Sequence, residues 1–130
     1  MIFLSLRTDK PEAEICLYQN SRQLACSTWQ AHRELSDTIH LKLKEILELE
    51  KITLQQIDGI IIYKGPGSFT GLRIGFSVAN ALADSLKVNI VSETADKWQE
   101  AGIERLLAND NEMIALPNYG ALPHITAPKK

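Results

Sequence analysis

Short, mainly apolar runs separated by turn residues occupy the first thirty positions of the chain, a pattern that is typical of strands. Three runs carry this pattern, at residues 2–6, 14–18 and 23–30. The polar segments between them contain proline, aspartate and asparagine, which favour turns. The chain is therefore predicted to open with three antiparallel strands.

The period lengthens to that of an amphipathic helix after the third strand. Ser36 is predicted to cap a helix that runs to about Glu50, because a serine hydroxyl can accept a hydrogen bond from the first helical turn. The apolar stripe of this helix consists of Ile39, Leu43, Ile46 and Leu47. Thr53 and Gln56 then match a capping box, which predicts a short helical turn.

Residues 57–63 form a nearly continuous apolar run, the pattern of a strand buried on both faces. A glycine-rich loop at 65–71 leads into a second helix, which ends near Leu86 and precedes a strand at 88–92. The predicted order is β-β-β-α-β-α-β, an α/β fold with a mixed five-stranded sheet and helices packed on it. We expect residues 1–92 to form one lobe.

Residues 93–130 are predicted to add a short helix and a tail, and not a separate domain. Residues 95–107 have helical spacing, and Trp98 is expected to pack in the core. The last twenty residues contain three prolines, which interrupt regular elements, so an extended tail is expected there.

Small residues recur every four positions along the second helix and form a ridge, Gly71, Gly75, Ala79 and Ala83. Another helix can approach such a ridge closely. This helix belongs either to the same chain or to another subunit, and the spacing leaves both open. A second apolar stripe, Ile74, Val78 and Leu82, favours contact with a partner.

Composition and charge narrow the class of protein. The chain has 130 residues, of which 45% are hydrophobic, enough for one core without metal or disulfide. A formal net charge of −2 does not suit broad cationic binding of nucleic acid, so any contact with RNA is expected to be indirect. No apolar run approaches the roughly twenty residues of a membrane span, so a cytoplasmic location without membrane contact is expected.

Cys16 and Cys26 lie ten residues apart without a CxxC unit. We expect two reduced, core-facing thiols in neighbouring strands and no bridge. The three histidines, at positions 32, 40 and 124, lack the spacings of zinc sites. Ser36, Asp37 and His40 are explained as helix-start chemistry in preference to a catalytic triad. No catalytic residue, metal ligand or cofactor is predicted.

The loop at 65–71 lies between a buried strand and a helix, where glycine permits close backbone approach. Ser68 and Thr70 are the candidates for capping the helix that follows. A phosphate could use the same amide groups, but Leu72 and Arg73 follow the loop in place of the lysine and hydroxyl of a P-loop. A structural turn is the favoured interpretation.

The run Gly65-Pro66-Gly67-Ser68-Phe69-Thr70-Gly71-Leu72-Arg73-Ile74-Gly75 resembles the signature of the TsaB family, formerly called YeaZ. Residues 57–62 resemble the strand before that signature, and residues 33–36 resemble the segment that opens the family's first helix. The resemblance covers roughly residues 1–92. It implies an actin-like, ASKHA-type lobe related to RNase H, with the helices on one side of the sheet.

The family acts in the biosynthesis of threonylcarbamoyladenosine in tRNA. The resemblance implies a scaffold without catalysis of its own, which forms homodimers alone and heterodimers with a TsaD-type transferase, in a pathway with a TsaE-type ATPase. The first two helices are expected to make these contacts. The residues expected there are Ile39, Leu43, Ile46, Leu47, Gly75, Val78, Ala79, Leu82 and Ala83.

Two features depart from the family pattern. The ASKHA signature begins with an aspartate at the end of the first strand, where this sequence has Arg7, followed by Thr8 and Asp9. A cation in place of the metal-organising carboxylate predicts that the chain does not bind or hydrolyse ATP in the ASKHA manner. A nucleotide-binding or hydrolysing enzyme that uses the loop at 65–71 is the alternative. The chain also ends soon after the first ASKHA half.

Overall fold

The structure is a computed structural model and describes residues 1–120 of the chain. The strands are β1 (Ile2–Arg7), β2 (Glu12–Gln19), β3 (Arg22–Gln30), β4 (Ile57–Tyr63) and β5 (Asn89–Glu93). The helices are α1 (Leu35–Leu49), α2 (Phe69–Leu86) and α3 (Trp98–Leu107). The predicted element order is confirmed.

All five strands form one sheet in the order β3-β2-β1-β4-β5. β1 pairs antiparallel with β2 and parallel with β4, and the sheet is therefore mixed, as predicted. Ile60, Ile61 and Ile62 on β4 have no exposed surface, because both faces of this strand are covered. The continuous apolar run of the sequence follows from this position in the sheet.

The helices cover opposite faces of the sheet. α1 and α2 enclose one core with residues such as Leu4, Leu17 and Ile60. α3 encloses a second core with Ile61 and other residues of the opposite face. The expectation that the helices lie on one side is therefore right for α1 and α2 and wrong for α3. Alternate residues of β4 point to both faces, and each face needs apolar cover.

The ends of the helices only partly match the predictions. Ser68 caps α2 by accepting a hydrogen bond from the Gly71 N–H at 3.2 Å, and Thr53 with Gln56 forms the predicted capping box. Ser36 does not cap α1, because this helix begins one residue earlier, at Leu35, after a short 3-10 turn at His32–Glu34. That prediction is wrong.

The predicted state of the cysteines is also wrong. Cys16 and Cys26 are directly opposite each other on β2 and β3 and form a disulfide. Cys16 is fully buried, but Cys26 is exposed at the edge strand and does not face the core. A β-bulge at Leu24 brings the pair together, because the register shifts by one residue between the Leu17 and Tyr18 pairs.

The segment after α3 contains no helix or strand up to residue 120. Asn80 on α2 holds it in place: the side-chain amide donates to the Ala115 carbonyl at 2.9 Å, and its oxygen accepts from the Ala115 N–H at 2.8 Å. Trp98 is 2% exposed, and its predicted packing is confirmed. The last ten residues of the predicted tail lie outside the described residues. No helix within residues 1–120 is both long and apolar enough to cross a membrane.

Candidate functional site

The signature loop lies against the turn between β1 and β2. The Ser68 N–H donates to the Asp9 carbonyl at 2.7 Å. A Cβ added at Gly67 would collide with that carbonyl, and one at Gly71 would collide with the carbonyl of Thr8. Close contact with backbone therefore requires glycine at both positions, independently of any ligand.

Gly75 continues this contact one turn further along α2. A Cβ at this position would collide with the side chain of Thr8, whose Oγ1 is buried without a hydrogen-bond partner among residues 1–120. Gly65 is required for a different reason, since its φ is +103°. The signature thus specifies how closely α2 approaches the end of β1.

A phosphate cradle needs backbone amides that point at the ligand and have no other partner. The Ser68 amide already donates to Asp9, and the Gly71 amide donates to the Ser68 hydroxyl. Two of the loop's amides are therefore occupied by contacts within the chain. This supports the interpretation of the loop as a packed turn.

Arg7 at the end of β1 lies between a carboxylate and an aromatic ring. Its Nε donates to Asp9 Oδ1 at 2.8 Å and its Nη2 donates to Asp9 Oδ2 at 3.2 Å, which makes the pair bidentate. Its guanidinium carbon lies 3.9 Å from the centre of the Tyr63 ring, within cation-π distance. Asp9, the carboxylate closest in sequence to the position of the family's aspartate, is consequently engaged by Arg7.

Electrostatics stabilise this arrangement. Burial disfavours the charge on Arg7, but the hydrogen bonds and attraction of Asp9 outweigh burial, with smaller contributions from Tyr63 and Glu14, and the pKa of the guanidinium is raised. Arg7 is therefore a permanent cation where a metal-dependent site needs a negative charge. A divalent metal at this strand end would be repelled.

A cavity of about 310 Å³ opens beside the signature loop. Its polar lining consists of Lys10, His32, Arg33, Ser68 and Thr70. Every ionisable side chain that lines it is basic, and the positive end of the α2 dipole is adjacent. The cavity is therefore suited to an anion.

The predicted contact residues separate into buried and half-buried groups. Those that are buried inside the chain are Ile39, Leu43, Ile46, Leu47, Gly75, Ala79 and Ala83. Val78 and Leu82 are half-buried and line hollows between the two helices. The small ridge of α2 thus lies in the core of its own chain, and the second stripe is the one that a partner could reach.

Two adjoining hollows form what we call the α1–α2 groove, with volumes of about 310 and 270 Å³. The first is lined by Leu43, Leu47, Leu54 and Leu82, with His40, Lys44 and Glu48 at its rim. The second is lined by Ser36, His40, Arg73, Ile74, Ser77 and Val78. His40 belongs to both hollows and is exposed, so it lies at the middle of the groove.

Three residues of these sites were not predicted from the sequence. Tyr63 contacts Arg7 because β4 lies parallel beside β1 and both strands end at one edge of the sheet, which the predicted central strand could have indicated. Tyr119 stacks on Phe69 with ring centres 4.5 Å apart, and the long separation in sequence gives no signal. From the sequence, His40 was considered only as a member of a catalytic triad and not as a residue of a groove between the helices.

Comparisons with known proteins agree on one family. A family model described as TsaD, tRNA N6-adenosine threonylcarbamoyltransferase, matches residues 29–94, which are 66 of the 130 residues. The tRNA threonylcarbamoyladenosine biosynthesis protein TsaB of Buchnera aphidicola subsp. Schizaphis graminum is 29% identical over 125 residues, covering 92% of this chain and 59% of that protein. TsaB of Buchnera aphidicola subsp. Acyrthosiphon pisum is 31% identical over 91 residues, 70% of this chain and 41% of that protein.

Solved structures are similar to the chain as well. YeaZ from Pseudomonas aeruginosa superposes with a TM-score of 0.67 at 25% identity, covering 72% of this chain and 43% of that chain. RuvC of Thermus thermophilus has a TM-score of 0.53 at 10% identity, which concerns the fold alone. The chain spans 59% or less of the length of the two curated relatives. With a family model over half of its length, TsaB relatives and a YeaZ structural neighbour, the chain belongs to the TsaD family of proteins and is a TsaB (YeaZ) member of it.

Proposed function

We propose that the chain acts in the biosynthesis of threonylcarbamoyladenosine in tRNA, as a non-catalytic subunit that binds a TsaD-type transferase. The names of its TsaB relatives support the pathway. The pairing of Arg7 with Asp9 supports the absence of catalysis, because Arg7 stands at the position of the family's aspartate and engages the carboxylate nearest to it in sequence. A cytoplasmic location is part of the proposal.

The α1–α2 groove is the observation that carries the scaffold role. Its floor is apolar, and His40, Lys44 and Glu48 supply a polar rim, which is the anatomy of a protein interface. Leu41 is exposed on α1 as well, at 53% of its surface. A helix of the partner with an apolar stripe fits this groove, since two packed helices present a ready surface to a third.

The same surface accounts for the other proposed partners. In the absence of the transferase, two copies of the chain pair through their grooves and form a homodimer. A TsaE-type ATPase belongs to the same assembly, and tRNA contacts the chain only indirectly, since the net charge of −2 offers little attraction for phosphate.

Co-purification with the TsaD-type protein of the same genome tests the proposal. His40→Glu and Leu82→Glu place a negative charge in the groove, and burying it in the complex is expected to reduce the bound transferase at least about tenfold. Leu107→Glu is the matched control, because Leu107 is an exposed leucine of α3 on the opposite face of the sheet. If folded His40→Glu retains the transferase as well as the wild type does, the groove is not the contact.

The electropositive cavity favours one second candidate, a nucleotide-binding or nucleotide-hydrolysing enzyme. Lys10, His32 and Arg33 would face the phosphates there. Titration with ATP and ADP in the presence of Mg²⁺ separates the two functions. Saturable binding by the isolated chain that Arg33→Ala removes would favour the enzyme, and the scaffold function predicts no saturation.

A further inference from the structure

The face of the sheet that packs against α3 carries three metal-ligand side chains close together. The carboxylate of Glu14 and the sulfurs of Cys16 and Cys26 all lie within 4.8 Å of one another. α3 packs on Gly59, Ile61 and Val91 of this face, and Cys16 belongs to the same buried core. Glu14 is half-buried and Cys26 is exposed, so the three donors extend from the edge of that core to solvent.

The contact between Glu14 and Cys16 does not fit the disulfide state. Glu14 Oε2 lies 3.2 Å from Cys16 Sγ. A disulfide sulfur has no hydrogen to donate and an ionised carboxylate only accepts, so no hydrogen bond forms between them in the bridged chain. A thiol proton or a cation between the two atoms would make the contact favourable.

The surroundings favour a cation at this position. Glu14 forms no salt bridge with any of residues 1–120, whereas Arg7, its neighbour across the strands, is engaged by Asp9. The Glu14 carboxylate is therefore left without a salt-bridge partner among the described residues, although a cation could reach it.

A polar group also lies beside the donors, on the neighbouring strand β1. Ser5 is paired with Cys16 across β1 and β2, so both side chains point to the same face. Its Oγ is buried and has no hydrogen-bond partner among residues 1–120. A thiolate at Cys16 would offer this hydroxyl an acceptor, as the outer partners of metal-bound ligands commonly do.

We propose that the reduced chain binds one zinc ion through Glu14, Cys16 and Cys26, with water as the fourth ligand. Two thiolates and a carboxylate are a ligand set that zinc accepts in tetrahedral geometry. A cellular thiol reductant supplies two electrons and two protons, which convert the disulfide into two thiols. Zinc then displaces both thiol protons and binds the thiolates, so the disulfide and the zinc site exclude each other.

This site is independent of the proposed scaffold function, because it lies on the opposite face of the sheet from the α1–α2 groove. The occupant is a zinc ion and not a second protein chain. The site couples the two strands β2 and β3 in either redox state, by a disulfide when oxidised and by the metal when reduced.

Zinc titration of the full chain tests the proposal. The protein is reduced with a phosphine, freed of it without oxygen, and titrated with Zn²⁺ against a chromophoric chelator. We expect one zinc per reduced chain, no binding by the oxidised chain, and protection of the Cys26 thiol from alkylation once zinc is bound. The oxidised chain has the same sequence and fold and is the internal control.

Variants assign the ligands. Cys26→Ser removes an exposed ligand without a core cavity and should abolish specific binding. Glu14→Gln should weaken it by at least about tenfold, since even outer-shell losses cost about 10- to 100-fold. Glu12→Gln, on the same strand and exposed, should bind like the wild type. The proposal is overturned if the reduced chain binds zinc no better than the oxidised chain, if Glu14→Gln binds as tightly as the wild type, or if one zinc is shared by two chains.

Discussion

Thr8 is the residue against which α2 packs most closely, and Gly75 is the position that permits it. Gly75→Ala should destabilise the chain by about 2 kcal/mol, because the clash with Thr8 exceeds the gain in helix propensity of about 1 kcal/mol. Urea unfolding measures the change.

A double-mutant cycle identifies the clash as the cause. Thr8→Ala alone should cost about 1 kcal/mol or less, because it removes a buried hydroxyl that has no hydrogen-bond partner in residues 1–120. Together with Gly75→Ala it should recover at least about 1 kcal/mol of the loss. Strictly additive effects would show that Thr8 is not the obstacle.

Ala79 tests the orientation of the small ridge. It has no exposed surface, whereas Ala81, two residues further along α2, is exposed. Ala79→Glu buries an unpaired charge and should cost at least about 3 kcal/mol, and Ala81→Glu should stay within about 0.5 kcal/mol of the wild type. Thermal unfolding of both variants, compared at one pH, checks this. A stable Ala79→Glu chain would contradict the packing of this ridge in the core.

At the scale of elements, the start of α2 depends on one hydroxyl. Ser68→Ala removes the cap of the Gly71 amide and should lower the free energy of unfolding by about 1 kcal/mol. Thr70→Ala is the control, because Thr70 was the second candidate for the cap and lies inside the helix. Equal losses in urea unfolding would argue against the capping role of Ser68.

The end of α3 is joined to its surroundings by Arg105, which bonds Asp110, Glu93 and Glu112 at 2.7 to 3.0 Å. The hydrogen bond from Arg105, against the opposing effect of burial, lowers the pKa of Asp110 below its ordinary value of 3.8. The unfolded chain therefore takes up this proton at a higher pH than the folded chain. The contribution is complete above the unfolded pKa and is lost as the pH falls through the folded pKa.

Stability should consequently fall below about pH 4, and Asp110→Asn should make that fall shallower. Urea midpoints between about pH 2 and 5 measure the slope. Asp84→Asn, an exposed carboxylate of α2, should keep the slope of the wild type. If Asp110→Asn and Asp84→Asn change the slope equally, the bond between Arg105 and Asp110 is not the cause of the loss of stability.

The sequence was most informative where local signals mark both ends of an element. β4 was predicted at its observed bounds, because the capping box at Thr53 precedes it and a glycine-rich loop follows. The start of α1 was missed because no side chain caps it: a 3-10 turn at His32–Glu34 runs directly into the helix. The capping signal at Ser36 is therefore not used.

The candidate site was harder to predict from the sequence than the fold. The helical period shows which residues share a face of α2, but it does not show whether the sheet or a partner packs against that face. The ridge with Ala79 and the stripe with Val78 both satisfy the period, and only the fold shows that the first meets the sheet. The disulfide was missed for a related reason. Counted from the turn between Gln19 and Arg22, a regular hairpin places Cys16 opposite Ala25 and not Cys26.

At the scale of the whole molecule, we propose that one face of the sheet binds protein partners through the α1–α2 groove and that the other face binds zinc. The oligomeric state of the chain tests the first of these two proposals directly. Sedimentation of the isolated chain should show a dimer that dissociates on dilution. His40→Glu should shift it to monomer, because two like charges then meet across the two-fold symmetric contact. Leu107→Glu should sediment like the wild type. A monomer at every concentration would remove the homodimer from the proposal.

The bulge at Leu24 also determines which changes in length the hairpin tolerates. Leu24 is the extra residue of β3, so its deletion leaves each partner of Ala25 to Gln30 in place and only straightens the strand. Deletion of Ser27 would instead turn Thr28 and Trp29 to the wrong faces and take Trp29 away from α1. Relatives that lack one residue in this strand can therefore keep the same sheet, provided that the residue they lack is the bulged one.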